Sequence, residues 1–190
     1  WPVFHWWEVW KPFLEEVRPE VVVIQTGIWD VQAVYGGERR RPRPDDPDWE
    51  AQYAFLVDVA LNVLAADGAH VYWLTMLPSP EVGQPERLNR LLADLAGDDD
   101  RMSVVDLTPG FTNPEGHYIQ QVDRHGAVWP IRKVDGIHIC REGAEVAATI
   151  TAAAILADAG LDLVEGWEKD PWRSDPLYEV DPCEEPVPVG

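Results

Sequence analysis

Val21-Val22-Val23-Ile24 is the stretch that decides the fold, because four β-branched residues in a row predict a strand buried on both faces. A long loop rich in Pro and Arg follows from Gly27. Similar short apolar runs occur at residues 71–75 (VYWLT) and 104–107 (VVDL), and they predict two further strands. Continuous apolar strands of this kind are typical of a parallel sheet.

Helical segments flank and separate these strands. Amphipathic or Ala-rich patterns predict helices at residues 6–17, 49–66, 84–96 and 141–159. Asp48 is the expected N-cap of the second helix, and Asp67-Gly68 is its expected end. The alternation predicts an α/β fold, a three-layer α/β/α sandwich around a parallel, flavodoxin-like sheet. Between the last strand and the last helix, residues 118–119 and 127–129 are expected to form a small hairpin.

Length and charge limit the classes of protein that fit. The 190 residues suit one domain, which we expect at residues 1–160, followed by an acidic tail rich in Pro and Trp at 161–190 that wraps around it. The formal net charge of −19 would repel phosphate backbones, so we expect no nucleic-acid partner. No apolar run approaches the roughly 18 residues that a membrane span needs. Because the first residue is Trp1, we expect the sequence to be part of a longer protein.

Two cysteines, Cys140 and Cys183, allow a disulfide, two free thiols or half of a metal site. Their spacing matches no CxxC zinc pattern, and no His, Cys and Asp cluster has metal-ligand spacing, so we expect neither a metal nor a cofactor. A disulfide would tether a tail that is too polar to dock firmly by itself. We therefore expect the disulfide, and with it an oxidising, extracellular or cell-surface location.

Asp135 and His138 give the strongest chemical signal in the sequence. An Asp three residues before a His can hold the imidazole in one tautomer, so that the second ring nitrogen acts as a general base. The simpler interpretation is that Asp135 caps the last helix and His138 is an ordinary, partly buried histidine. The position after an α/β alternation favours the catalytic interpretation, since functional groups collect at the carboxyl ends of parallel strands. His117 and His125 lie in the irregular region near this expected site.

The segment Asp135-Gly136-Ile137-His138, followed by Glu142-Gly143-Ala144, resembles the last conserved block of the SGNH (GDSL-type) hydrolases. It is most similar to the extracellular SGNH domains associated with membrane acyltransferases. Residues 21–30 (VVVIQTGIWD) resemble the strand and the Gly-x-Asn-Asp block of the same family. This resemblance implies site-edge or oxyanion positions at Gly27, Trp29 and Asp30, and an SGNH-type fold that lacks its first strand in this chain.

Two departures from the family concern the catalytic groups. Trp29 stands where the family has its oxyanion-hole Asn, and indole donates only one N–H. The family's Gly-Asp-Ser block is absent. Of the three serines, Ser103 precedes its predicted strand and Ser174 lies in the tail, which leaves Ser79 as a weak nucleophile candidate. We expect the nucleophilic serine to lie upstream of Trp1.

The resemblance implies a serine esterase or O-acyltransferase that acts on a small acyl ester or an acylated cell-envelope or secreted carbohydrate. The partner that it implies is a membrane acyltransferase domain. The alternative is a catalytically inactive relative that serves as a binding or scaffolding domain, which the absent serine and Trp29 both favour.

Overall fold

The computed structural model describes residues 6–27, 46–81, 83, 85–124, 126–169, 171–176 and 183. These form two compact units, the first from the described residues within 6–76 and 85–105 and the second from those within 77–83 and 106–183. No helix in the described part of the chain is both long and apolar enough to span a bilayer. The predicted division at residue 160 is not tested by this arrangement and stays a prediction.

The first unit is an α/β structure around a parallel sheet. Its elements are α1 (Trp6–Val17), β1 (Val21–Ile24), α2 (Trp49–Leu64), β2 (His70–Leu74), α3 (Pro85–Asp98) and β3 (Met102–Val105). The strands pair in the order β1-β2-β3, with Val21 opposite His70 and Val71 opposite Met102. The predicted α/β class and the parallel sheet are therefore confirmed, and each strand lies within two residues of its expected position.

The core of the first unit is built on β2 and the inner faces of α2 and α3. In the middle strand, Val71, Tyr72, Trp73 and Leu74 are all buried. Trp49 of α2 and Leu88 of α3 are completely buried. The sequence prediction that β1 is buried on both faces is wrong, because Val21 and Val23 on one face are 39% and 46% exposed. β1 lies at the edge of the sheet formed by the described strands, whereas β2 has a neighbour on each side.

The predicted N-cap position of α2 is confirmed. Asp48 occupies the N-cap position but makes no capping hydrogen bond with its side chain. Its carboxylate instead accepts a hydrogen bond from the Gln52 side chain one turn later. Gly68, with a φ of +88°, ends the turn after the helix as expected.

The second unit contains an antiparallel hairpin and the longest helix. Its elements are β4 (Gln121–Arg124), β5 (Ala127–Pro130) and α4 (Arg141–Asp158), with 3₁₀ turns at Thr108–Gly110, Trp167–Lys169 and Pro171–Ser174. The hairpin is confirmed, but its first strand lies three residues later than predicted. Tyr118 instead bridges Thr112 in an isolated antiparallel pair. The last helix ends one residue before the prediction, and Gly160 follows it with a φ of +69°.

Candidate catalytic site

Residues 131–140, between β5 and α4, form a closed loop that carries Asp135 and His138; we call this segment the 131–140 loop. The backbone N–H of Lys133 donates to the His138 carbonyl at 2.8 Å, and Arg132 bridges Ile139 across the loop. At the base of the loop, the Cys140 N–H donates to the Ile131 carbonyl at 3.0 Å. The two candidate side chains are therefore presented by a segment whose backbone is hydrogen-bonded to itself.

Asp135 uses its two carboxylate oxygens on different partners. Oδ1 accepts the backbone N–H groups of Ile137 at 2.8 Å and of His138 at 3.0 Å, which fixes the turn. Oδ2 lies 2.6 Å from Nδ1 of the His138 ring. Asp135 does not cap α4, because that helix begins at Arg141 with Cys140 in the N-cap position. The simpler interpretation of Asp135 as a helix cap is therefore wrong.

These contacts favour the ionised form of the Asp135 carboxyl. Burial raises the pKa of Asp135, but hydrogen bonds from the His138 ring and from the Ile137 and His138 N–H groups outweigh it and lower the pKa to about 2. A carboxylate that is ionised at neutral pH only accepts hydrogen bonds, so Nδ1 of His138 carries the hydrogen. In the neutral ring the lone pair is then on Nε2, which is the arrangement of a general base.

The site is open to solvent within its own unit. The side chains of His138 and Asp135 are 70% and 40% exposed. Surface grooves lined by residues within 48–56 and within 106–116 include neither of them. The exposure permits a substrate to approach the imidazole; the role of the pair in catalysis stays a prediction.

Ser79 lies beside the 131–140 loop. A Cβ placed on Gly136 would lie 3.7 Å from the Ser79 hydroxyl and 3.0 Å from the ring of Pro80, and Gly136 has a φ of +65°. The Ser79 hydroxyl accepts the backbone N–H of Glu81 at 3.1 Å. No hydrogen bond between Ser79 and His138 is present among the described residues, so the structure supplies no activated serine at this position.

The remaining serines and His117 have the following positions in the described part of the chain. Ser103 lies within β3 rather than before it, and its hydroxyl is 2.9 Å from Nε2 of His70. Ser174 is exposed at the end of a 3₁₀ turn. His117 is exposed, with its backbone N–H donating to the Asn113 side chain. His125 lies outside the described residues.

Gly27 has a structural requirement of its own. Its φ is +118°, and a Cβ at this position would collide with the Leu88 side chain of α3. A glycine is therefore needed here for packing and for backbone conformation. Trp29 and Asp30 lie outside the described residues. The oxyanion role that the resemblance implies for these three positions remains a prediction.

The expected disulfide is present between Cys140 and Cys183, whose Cα atoms are 5.4 Å apart. Cys140 follows His138 by two residues, so the crosslink holds residue 183 at the end of the 131–140 loop. A second feature of the loop is not marked in the sequence. Arg132 is 2% exposed, and its guanidinium donates to the Gly136 carbonyl at 2.6 Å.

Residues 2–154 match the family model DUF459, described as a protein of unknown function, and the chain belongs to this family. No curated protein matches the chain. Two solved structures are similar to it, each over 75% of its length: a candidate acylhydrolase from Bacteroides fragilis at 20% identity and a GDSL-like lipase from Bacteroides thetaiotaomicron at 21% identity, each with a TM-score of 0.49. The chain covers 65% and 66% of those two proteins, just under two thirds of each.

Proposed function

We propose that this chain carries the His–Asp part of an SGNH-type serine ester hydrolase or O-acyltransferase. The observation that supports the proposal is the Asp135–His138 pair, in which an ionised carboxylate lies 2.6 Å from Nδ1 and leaves the Nε2 lone pair available in an exposed ring. The resemblance of residues 135–138 and 142–144 to the last SGNH block supports the same chemistry.

In the proposed reaction, a serine hydroxyl attacks the carbonyl carbon of an acyl ester while Nε2 of His138 accepts the hydroxyl proton. Asp135 stabilises the imidazolium that forms. The tetrahedral intermediate collapses, the C–O bond to the leaving alcohol breaks, and His138 returns its proton to that alcohol. Water or an acceptor hydroxyl then attacks the acyl-serine with His138 again as the base, which gives hydrolysis or acyl transfer respectively.

We place the nucleophilic serine outside these 190 residues. Ser79 is the serine beside the 131–140 loop, but its hydroxyl is engaged with the Glu81 N–H and not with His138. The proposed substrates are small acyl esters or acylated carbohydrates of the cell envelope. The Cys140–Cys183 disulfide supports an exported location, because disulfides persist in oxidising compartments.

The test uses the protein with its native flanking sequence, assayed on p-nitrophenyl acetate. We expect His138→Ala to lower kcat/KM by at least about 100-fold, since a positioned general base contributes roughly 10²–10⁴-fold. Asp135→Asn should give a loss in the same range. Asp123→Asn, which changes an exposed carboxylate in β4, is the matched control and should keep activity within about twofold.

The nucleophile is identified in the same protein with a fluorophosphonate, followed by peptide mapping. Labelling of a serine outside the 190 residues, abolished by His138→Ala, is the expected result. Labelling of Ser79 would overturn our placement of the nucleophile. Wild-type-like turnover by His138→Ala would overturn the assignment of the base.

A second candidate function is a binding or scaffolding domain that has lost catalysis. Trp29 in place of the family's oxyanion Asn favours it, because a single indole N–H does not reproduce the amide donor. This candidate predicts that the protein with its native flanks neither hydrolyses acyl esters nor reacts with the fluorophosphonate, although the Asp135–His138 hydrogen bond is intact.

A further inference from the structure

Arg132 is a buried cation in the 131–140 loop. Its side chain is among the largest fully enclosed ones in the chain, with 2% of the residue exposed. The guanidinium carbon lies 5.7 Å from the ring centroid of Phe111 and 5.7 Å from that of Tyr118. Contacts of this kind between a guanidinium and an aromatic ring are attractive and strengthen when water is excluded. The two rings therefore hold the cation under the loop.

Among the described residues, the guanidinium makes one side-chain hydrogen bond, and it goes to the part of the loop that carries the candidate site. Nη2 donates to the carbonyl of Gly136 at 2.6 Å. Gly136 lies between Asp135 and His138 and adopts a left-handed φ of +65°. On its other side, Gly136 is closed in by Pro80. Arg132 thus holds, from inside, a peptide group of the turn that carries the Asp135 carboxylate.

This arrangement is costly for the folded state. Burial lowers the pKa of Arg132, while Tyr118 and Asp135 act in the opposite direction. Nε and Nη1 of the same guanidinium are buried without a hydrogen-bond partner among the described residues. Replacing a buried charge by an apolar side chain of similar volume is often neutral or stabilising, so stability alone does not account for an arginine here.

We propose that Arg132 is a positioning residue for the Asp135–His138 pair. It fixes the Gly136 carbonyl, and through that peptide it sets the turn that brings Oδ2 of Asp135 to Nδ1 of His138. Arg132 does not contact the substrate. The catalytic consequence rests on the proposed function, but the effect on the hydrogen bond between Asp135 and His138 does not.

The test follows the His138 Nδ1–H resonance by NMR in the 190-residue chain. A histidine N–H that donates to a carboxylate has a resonance shifted downfield. We expect Arg132→Met to abolish this resonance, Arg132→Lys to restore part of it through a lysine N–H at the same carbonyl, and Tyr118→Phe to leave it unchanged. Near-UV circular dichroism checks that each variant is folded.

In the protein with its native flanks, the same Arg132→Met change should lower kcat for p-nitrophenyl acetate about 10- to 100-fold, with KM within about threefold, as expected for a misplaced catalytic group. A wild-type resonance in folded Arg132→Met would overturn the positioning role. If Arg132→Met does not fold, a wild-type resonance and kcat in Arg132→Lys would overturn it, because the guanidinium donor to the Gly136 carbonyl would then be dispensable. If Arg132→Met loses the resonance but the wild-type protein with its native flanks has no esterase activity, the positioning role stands and the proposed function is contradicted.

Discussion

At the residue scale, one carboxylate oxygen of Asp135 makes a structural contact and the other makes an electrostatic one. Oδ1 holds the backbone of the turn, and Oδ2 holds the imidazole. An asparagine at this position keeps a carbonyl oxygen for the backbone contacts and loses the negative charge. Asp135→Asn therefore removes the charge interaction with His138 while leaving the turn its hydrogen-bond acceptor.

The lowered pKa of Asp135 gives a prediction for stability in acid. The folded pKa is about 2 and the reference value is 3.8, so the contribution to stability is complete above about pH 4 and is lost as the pH falls through about 2. Because the side chain is 40% exposed, we expect Asp135→Asn to lower the free energy of unfolding by under about 1 kcal/mol at pH 6. Urea titrations between pH 6 and pH 2 should show this gap closing. A difference in unfolding free energy that stays constant over that range would contradict a lowered pKa for Asp135.

Sequence alone could identify Asp135 and His138 because the two residues are three positions apart and their geometry is local. Arg132 could not be found in this way. Its burial depends on Phe111 and Tyr118, which are 21 and 14 positions away and reach it through the fold. The prediction that Ser103 precedes its strand is wrong, because the apolar pattern does not show that Met102 begins the pairing with Val71.

At the element scale, the first turn of α4 packs against the base of the 131–140 loop. A Cβ on Gly143 would collide with the backbone carbonyl of Ile131, which also accepts the Cys140 N–H. A backbone atom cannot move aside by changing rotamer. The glycine therefore permits the helix and the loop to approach closely.

Gly143→Ala should consequently destabilise the protein by about 1–3 kcal/mol, the usual cost of overpacking. Gly97 in α3 is the matched control, because it is also helical and a Cβ there meets nothing within 4 Å. Gly97→Ala should be neutral or stabilising by up to about 1 kcal/mol, since alanine is the better helix former. Urea denaturation measures both variants. Equal effects of the two substitutions would show that the close contact at Ile131 does not limit packing.

Helices and strands of the first unit follow from local patterns, since apolar periodicity depends on a few consecutive residues. The burial of β1 does not follow from its local pattern, because it depends on which strands and helices lie beside that strand. The hairpin shows the same limit. Its turn near Gly126 is marked in the sequence, but the mostly polar residues 121–124, which pair with β5, carry no apolar strand pattern.

At the scale of the whole molecule, the Cys140–Cys183 disulfide closes a segment with a sequence separation of 43 residues. Within the second unit it connects the N-cap of α4 to residue 183, beyond the 3₁₀ turns. On the chain-entropy account, a crosslink of this span restricts the unfolded chain by up to about 4 kcal/mol. The sequence could suggest this pairing only because the chain contains two cysteines, so that each has a single possible partner within the chain.

The double variant Cys140→Ser/Cys183→Ser should therefore lose up to about 4 kcal/mol of unfolding free energy in urea. A reducing agent should bring the wild-type protein to nearly the same stability and leave the variant unchanged. The reason is that both treatments remove the crosslink that restricts the unfolded chain. Denatured, unreduced protein should show no alkylatable thiol, and mass spectrometry should find the two cysteine peptides linked. Two alkylated thiols in the protein isolated without reductant would remove both the crosslink and its support for an exported location.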